Sequence, residues 1–332
     1  PYRILEPLRE GSVSSVYRAT APGGATVALK VFSLHLLTAD PPSAVAPAPA
    51  TDPATTPAGG AGGAGAAAAP FIARFRREIE AAIPLRHPNI LQVLGTGQDG
   101  DQLYLATELF DGISLERLLD QGRLAIPQAI AVMRGVCRGL AYAHGRGLVH
   151  GHLSPRHLLV SPALTAVKVA DFGPSEIDVV SELDSTLRTG AYALGSFHYL
   201  APEQVGRRGA APDPRSDLYA AGVIFFELLT GQPPGGRFSL PSQANAELPP
   251  AVDVVVLRCL ARNPDDRYPS AAALLTALDE LEEALRVRLL SHLRGISRLL
   301  GPTGSRRRKL VLAAAILLLL AAFALAGYGL SR

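Results

Sequence analysis

Alternation of apolar and polar positions opens the chain. "YRILEPL" (2–8), "SSVYRAT" (14–20) and, after the turn "APGG", "ATVALKVFSL" (25–34) repeat with the period of half-buried strands, so a small sheet is expected first. The period changes at residue 71. In "FIARFRREIEAAIPL" Phe71, Phe75 and Ile79 recur four residues apart, which places them on one face of an amphipathic helix. "QLYLATEL" (102–109) returns to strand, and from Ser114 the periodicity is mostly helical, over 114–120, 127–145, 216–230, 251–261 and 270 to about 292. A short β-like interruption falls at 158–170. The order predicts an α+β protein with a strand-rich first part and a helix-rich second.

Two segments fit neither period. From Ala39 to Pro70, 25 of 32 residues are Ala, Pro or Gly, too few large side chains to form a core, so 39–70 is expected to be a disordered surface insertion. At the other end, 310–330 runs for 21 residues with neither a charge nor a polar face. A helix of that length, at ~1.5 Å per residue, reaches the ~30 Å of a bilayer core. Arg306, Arg307, Arg308 and Lys309 stand directly before it, the side that stays in the cytoplasm. The expectation is a single-pass protein of the cell membrane with its large N-terminal part cytoplasmic. A basic juxtamembrane segment at 286–309 joins the two, and Gly301, Pro302 and Gly304 interrupt any rigid helix into the membrane. With Pro1 first and only two residues after 330, either a tail anchor or a longer native chain is expected.

Charge adds little to this picture. The formal net charge is +3, and eight cations lie between Arg286 and Lys309, so the basic excess points to a membrane surface and not to nucleic acid. Cys137 and Cys259 have neither disulfide nor metal-ligand spacing and read as buried thiols.

Chemistry enters through motifs in order. Lys30 ends "VALK", where alternation sets Val27 and Leu29 on one face and Ala28 and Lys30 on the other. Glu78 or Glu80 on the following helix could pair with its ammonium and aim it at phosphate oxygens. Asp171 begins "DFG" just beyond the β-like "AVKVA", a carboxylate suited to Mg²⁺. Before it lies "VHGHLSPRHLLV" (149–160), and after it come "GSFHYLAPE" (195–203), "SDLYAAGVIFFELLTG" (216–231) and "NPDDRYPS" (263–270). In this order the motifs resemble the protein kinase family, of the bacterial membrane-anchored serine/threonine type, over about residues 1–285. The resemblance implies a two-lobed protein kinase-like fold, with a strand-rich N-lobe at 1–109 that contains the insertion and a helical C-lobe at 110–285. It assigns Gly11, Ala28, Lys30, Glu78, Thr107, Glu108, Leu109 and Asp171 to the nucleotide site, with Thr107 as gatekeeper and Glu108 and Leu109 opening the hinge. It also implies that Glu203 pairs with Arg267 and that Asp217 braces the catalytic loop.

Departures concentrate where the chemistry is done. The family loop His-Arg-Asp-Leu-Lys-Pro-x-Asn is matched here by His150, Gly151, His152, Leu153, Ser154, Pro155, Arg156 and His157. His152 therefore stands for the aspartate that accepts the substrate proton, Ser154 for the lysine beside the transferred phosphoryl group, and His157 for the asparagine that holds the second Mg²⁺. Gly151 removes the arginine that grips a phosphorylated activation segment, so Ser175, Ser181, Ser185, Thr186, Thr189 and Ser196 read as surface hydroxyls. Of the three glycine-rich-loop positions, Arg9, Gly11 and Ser14, only the middle one is glycine. Zinc accepts imidazoles, but the resemblance gives His150 a packing role, and the loop reads as a decayed catalytic loop.

The expected function is a membrane-tethered pseudokinase that acts by partner or nucleotide binding in signalling. Its rival is a weak ATP-dependent serine/threonine kinase using Lys30, Asp171 and one metal, and a structural membrane module without nucleotide is third. ATP and Mg²⁺ are the implied cofactors. The expected partners are the membrane, a signalling protein and a second copy of the chain through the helical juxtamembrane segment, with no nucleic acid.

Overall fold

A computed structural model describes residues 2–11, 14–33, 63–173, 197–205, 213–235 and 239–299. The chain forms two units. In the first, β1 (Arg3–Arg9), β2 (Ser14–Thr20), β3 (Thr26–Ser33), β4 (Val93–Asp99) and β5 (Gln102–Glu108) make an antiparallel sheet of order β1-β2-β3-β5-β4. Strand alternation sorts its two faces as the sequence pattern predicts. On one, Val27 and Leu29 are buried with Ala19 and Ala106 under Tyr2 and Tyr104, whose rings meet edge-on at 5.4 Å. On the other, Phe32 meets Phe75 of helix α1 (Gly63–Ala82) edge-on at 5.3 Å, and Ile79 is buried one turn further on.

Two features of this unit differ from expectation. β4 was not legible, because "VLGTGQD" carries two glycines and little β-propensity. Pairing to β5 makes it a strand, together with a bond from Thr96 Oγ1 to the Tyr104 carbonyl at 2.7 Å. Helix α1 also begins at Gly63, so the expected insertion at 39–70 is corrected at its end. Alanine has the highest helix propensity, and a helix already docked through Phe75 and Ile79 extends backward through 66–69 without a new nucleation step. Residues 39–62 lie outside the described residues.

The second unit holds a small sheet, β6 (Ile113–Ser114), β7 (Leu158–Val160) and β8 (Val167–Val169), and six helices among the described residues. These are α2 (Leu115–Leu119), α3 (Ile126–His144), α4 (Pro214–Thr230), α5 (Pro241–Ala244), α6 (Pro250–Cys259) and α7 (Ala271–Leu299). The interruption at 158–170 is thus a β7–β8 hairpin. Helix α4 is apolar nearly all round and is accordingly buried from Ser216 to Leu229 apart from Tyr219. It starts where the Asp213 carboxylate accepts the Arg215 N–H at 2.7 Å, and stops at Gly231, whose φ of 88° is the left-handed C-terminal conformation that favours glycine. Residues 85–91, expected in the N-lobe, belong here: the Asn89 side chain donates to the Val167 carbonyl at 2.9 Å, and Leu91 N–H reaches the Val169 carbonyl at 2.8 Å.

Helix α7 is continuous across residue 285, so the start of the segment expected as juxtamembrane is part of a domain helix. Arg134 of α3 fastens it, pairing with Asp279 at 2.8 Å and with Glu282. The apolar run 310–330, expected to span a membrane, lies outside the described residues, as do residues 174–196 of the activation segment. Among the described residues no helix is long and apolar enough to cross a membrane.

Candidate active site

The nucleotide-site residues of the first unit come together on β3 and β5. Register places Ala28 directly opposite Thr107, Val27 opposite Glu108, and Lys30 between Val16 and Leu105. Ala28, Lys30 and Phe32 share a sheet face, and because Phe32 touches Phe75, that face is the one α1 covers. The Lys30 ammonium stands 5.2 Å from the centre of the Phe32 ring. Glu78 is half-buried on α1, one residue before buried Ile79. Thr107 is buried and its hydroxyl donates to the Glu108 carbonyl at 3.2 Å. The Glu108 carboxylate accepts the Gln92 N–H at 2.8 Å while the Glu108 N–H donates to the Gln92 carbonyl at 2.9 Å, so both ends of Glu108 tie the start of the hinge to residue 92; Leu109, next in the chain, is half-buried. At Gly11 a Cβ would come within 2.7 Å of the Ser14 carbonyl oxygen, so a side chain at this position would clash with the start of β2.

In the second unit the loop 150–157 is suspended from two points. The buried Asp217 carboxylate accepts the N–H of His150 at 2.9 Å, the N–H of Gly151 at 2.7 Å and His144 Nε2 at 2.8 Å. Gly151 reaches it with φ of 78°. On the other side Ala170, directly before Asp171, donates its N–H to the His157 carbonyl at 2.8 Å and accepts from His150 Nε2 at 2.9 Å. The loop and the "DFG" segment therefore clasp one another through a single residue, Ala170. Asp171 itself has φ of 59°, a conformation that a non-glycine residue holds only where its surroundings impose it.

Glu203 and Arg267 meet as the resemblance implied, with two parallel bonds of 2.7 Å to a guanidinium whose side chain is fully buried. Two supports went unread in the sequence. Gln204 Nε2 donates to the Gly151 carbonyl at 2.7 Å, and His144 shares Asp217; neither residue belongs to the motif positions that carry the resemblance.

His150, His152 and His157 lie together, closer than a decayed loop with a purely packing His150 would lead one to expect. Their ring centres are 4.5 Å (150 to 152), 5.5 Å (150 to 157) and 4.9 Å (152 to 157) apart. His150 also packs on Phe172, and burial pushes its pKa below the ordinary imidazole value, although Asp217 and the Ala170 bond pull the other way. His157 Nδ1 lies 3.0 Å from the His152 carbonyl and 3.2 Å from Ser154 Oγ. Ser154 is buried and also borders a cavity of about 200 Å³ with Glu116, Asp120, Arg156, Tyr199 and Glu227 among its lining. Tyr199 donates to Glu227 at 2.6 Å there, and burial raises the Glu227 carboxyl while that bond partly opposes it.

These donors fit the family's cofactors in part. Asp171 offers the carboxylate oxygen that Mg²⁺ prefers, but the second-metal position is an imidazole, a poor ligand for so hard an ion. Gly11 and the Ala28, Lys30 and Thr107 surface suit a nucleotide.

Comparison with known proteins gives the same outline. Residues 67–277 match the family described as protein kinase domain. Serine/threonine-protein kinase PknB of Mycolicibacterium smegmatis is 34% identical over 232 residues, which is 64% of this chain and 36% of that protein. A probable serine/threonine-protein kinase PknB of Lactococcus lactis subsp. lactis is 32% identical over 293 residues, 83% of this chain and 41% of its own length. The chain thus spans well under half the length of these relatives. The crystal structure of the Mycobacterium tuberculosis PknI kinase domain superposes with a TM-score of 0.62 at 27% identity, covering 84% of this chain and 95% of that one. The family match takes in the suspended loop, the "DFG" clasp and the Glu203–Arg267 pair alike, and the chain belongs to the protein kinase family.

Proposed function

We propose that this is a membrane-tethered pseudokinase: a kinase domain that acts in signalling by binding a protein partner or nucleotide, with phosphoryl transfer impaired. The observation that carries this is His152, held where the family has its catalytic aspartate on a loop whose supports are otherwise intact. Phosphoryl transfer depends on positioning and on charge balance among phosphates and metal ions. A neutral imidazole at 152 and another at 157 supply no negative charge, and Ser154 supplies no cation. The run 310–330 supports the tether, with the domain on the cytoplasmic side of the cell membrane. The helical approach to it suits a homodimer.

A second reading, a weak ATP-dependent serine/threonine kinase, is favoured by the retention of Lys30, Glu78 and Asp171. Radiolabelled phosphate transfer from ATP with Mg²⁺ or Mn²⁺ separates the two. The parent chain is expected to show none, while nucleotide raises its melting temperature by mass action. His152→Asp alone is expected not to restore transfer, because residues 154 and 157 are also altered. Transfer by the parent that disappears in Lys30→Ala and Asp171→Ala would overturn the pseudokinase reading.

A further inference from the structure

The loop lacks the family's acidic and amide groups and carries imidazoles in their places, at 152 and 157, beside His150, and we propose that His150, His152 and His157 bind one divalent transition-metal ion of the zinc type. One ring nitrogen from each lies within 4.8 Å of those of the other two. Zinc bound to imidazoles at ~2.0–2.1 Å in tetrahedral geometry needs its nitrogens about 3.4 Å apart. Binding then requires the nitrogens to close by up to about 1.4 Å, a movement that falls on His152 and His157, which are only half-buried.

Hydrogen bonding assigns the donor atoms. His150 Nε2 faces the Ala170 carbonyl at 2.9 Å, and because a carbonyl can only accept, Nε2 carries the proton and Nδ1 the lone pair. That Nδ1 is buried and has no hydrogen-bond partner, in a residue only 3% exposed. A buried ring nitrogen of this kind calls for an explanation, and a metal ion supplies one. His157 repeats the pattern in mirror form: its Nδ1 stands 3.0 Å from the His152 carbonyl, which assigns the proton to Nδ1 and the lone pair to Nε2. In both rings a backbone carbonyl holds the nitrogen opposite the donor, the arrangement that orients metal-binding histidines. The Asp217 and Ala170 bonds pre-order the loop, so little is left to organise when the ion arrives.

Nitrogen donors select against Mg²⁺ and Ca²⁺ and in favour of zinc. Three protein ligands leave a fourth position for water or an incoming anion. The site does not depend on nucleotide binding, and its failure would leave the pseudokinase reading where it stands.

The test is zinc uptake by the chelator-stripped full chain, measured by competition with a chromophoric chelator, with Co²⁺ as a spectroscopic substitute. One equivalent of zinc per chain is expected, and a cobalt spectrum of tetrahedral nitrogen–oxygen type. His152→Asn and His157→Asn should each weaken zinc by more than about a hundredfold, since even partners outside the ligand set are worth 10–100-fold. His87→Asn, His198→Asn and Cys259→Ser should leave it unchanged. Metal-free melting curves that match the parent's will show that the asparagine variants fold. No zinc equivalent in the parent, or zinc retained by the His152→Asn/His157→Asn double variant, would overturn the proposal. A thiolate or octahedral cobalt spectrum in the parent would do so without any variant.

Discussion

Asp217 offers the most direct test of how the loop is held. Its carboxylate is 1% exposed and accepts three bonds of 2.7–2.9 Å, two from backbone N–H groups of the loop and one from His144. Bonds to a charged acceptor are worth about 1.5–3 kcal/mol each, against which stands the cost of burying the carboxylate. Asp217→Ala should therefore destabilise by about 3–5 kcal/mol, the range for a buried charged network broken from one side. For a folding unit of this size that corresponds to a melting temperature lower by roughly 6–20 °C. Asp217→Asn keeps one accepting oxygen but turns an NH₂ toward an N–H, and should cost about 2–3 kcal/mol. Urea unfolding gives the free energy, and amide exchange at His150 and Gly151 gives the locality. Both amides should exchange much faster in the variants while α7 amides keep their protection relative to global stability. A loss below about 1 kcal/mol, or unaltered exchange at 150 and 151, would refute the claim that this carboxylate suspends the loop.

Two further outcomes follow from packing and charge. Burial alone would raise the Glu203 carboxyl, but the paired bonds from Arg267, with Ser216 and a backbone N–H, hold it below its ordinary value of 4.5. Its contribution is present above pH 4.5 and lost as pH falls through the lower folded value, so thermal melts across acid pH should show a steeper fall for the parent than for Glu203→Gln. At Gly222 in α4 a Cβ would lie 2.4 Å from the Cys259 Cβ of α6, so Gly222→Ala should cost about 1–3 kcal/mol in urea unfolding. The same variant should expose Cys259, whose pKa burial pushes up to about 12, to thiol reagents that leave the parent untouched.

What was legible in the sequence followed side-chain periodicity. Val27 and Leu29, Phe75 and Ile79, and the apolar length of α4 each announced their element because burial of large side chains is the force that forms it. β4 was hidden because its stability comes from backbone pairing to β5, a long-range property that no window of "VLGTGQD" contains. Residues 85–91 moved to the second unit for the same reason, since Asn89 and Ile90 are placed by bonds to β8, nearly eighty positions away. At the site, the motifs named the residues but not their distances. Spacing in "HGHLSPRH" could not show that the turn at Pro155–His157 brings the third imidazole back against the first two.

The architecture of this loop is separable from its chemistry. Asp217 binds backbone N–H groups, Ala170 binds a backbone carbonyl and an imidazole edge, and Gln204 binds a backbone carbonyl, so none of the three senses the side chain at 152. The three supports are therefore indifferent to whether residue 152 is aspartate or histidine. The loop nonetheless changes its electrostatic character. Burial lowers the His150 pKa, the Asp217 carboxylate accepts from three donors, and Asp171 follows directly on the Ala170 clasp. Where the family loop presents oxygen ligands, this one presents imidazoles at 152 and 157 on a preorganised frame. On the proposed reading such a frame serves binding, because binding needs only that donors be in place, while transfer also needs balanced charge at the reacting phosphate.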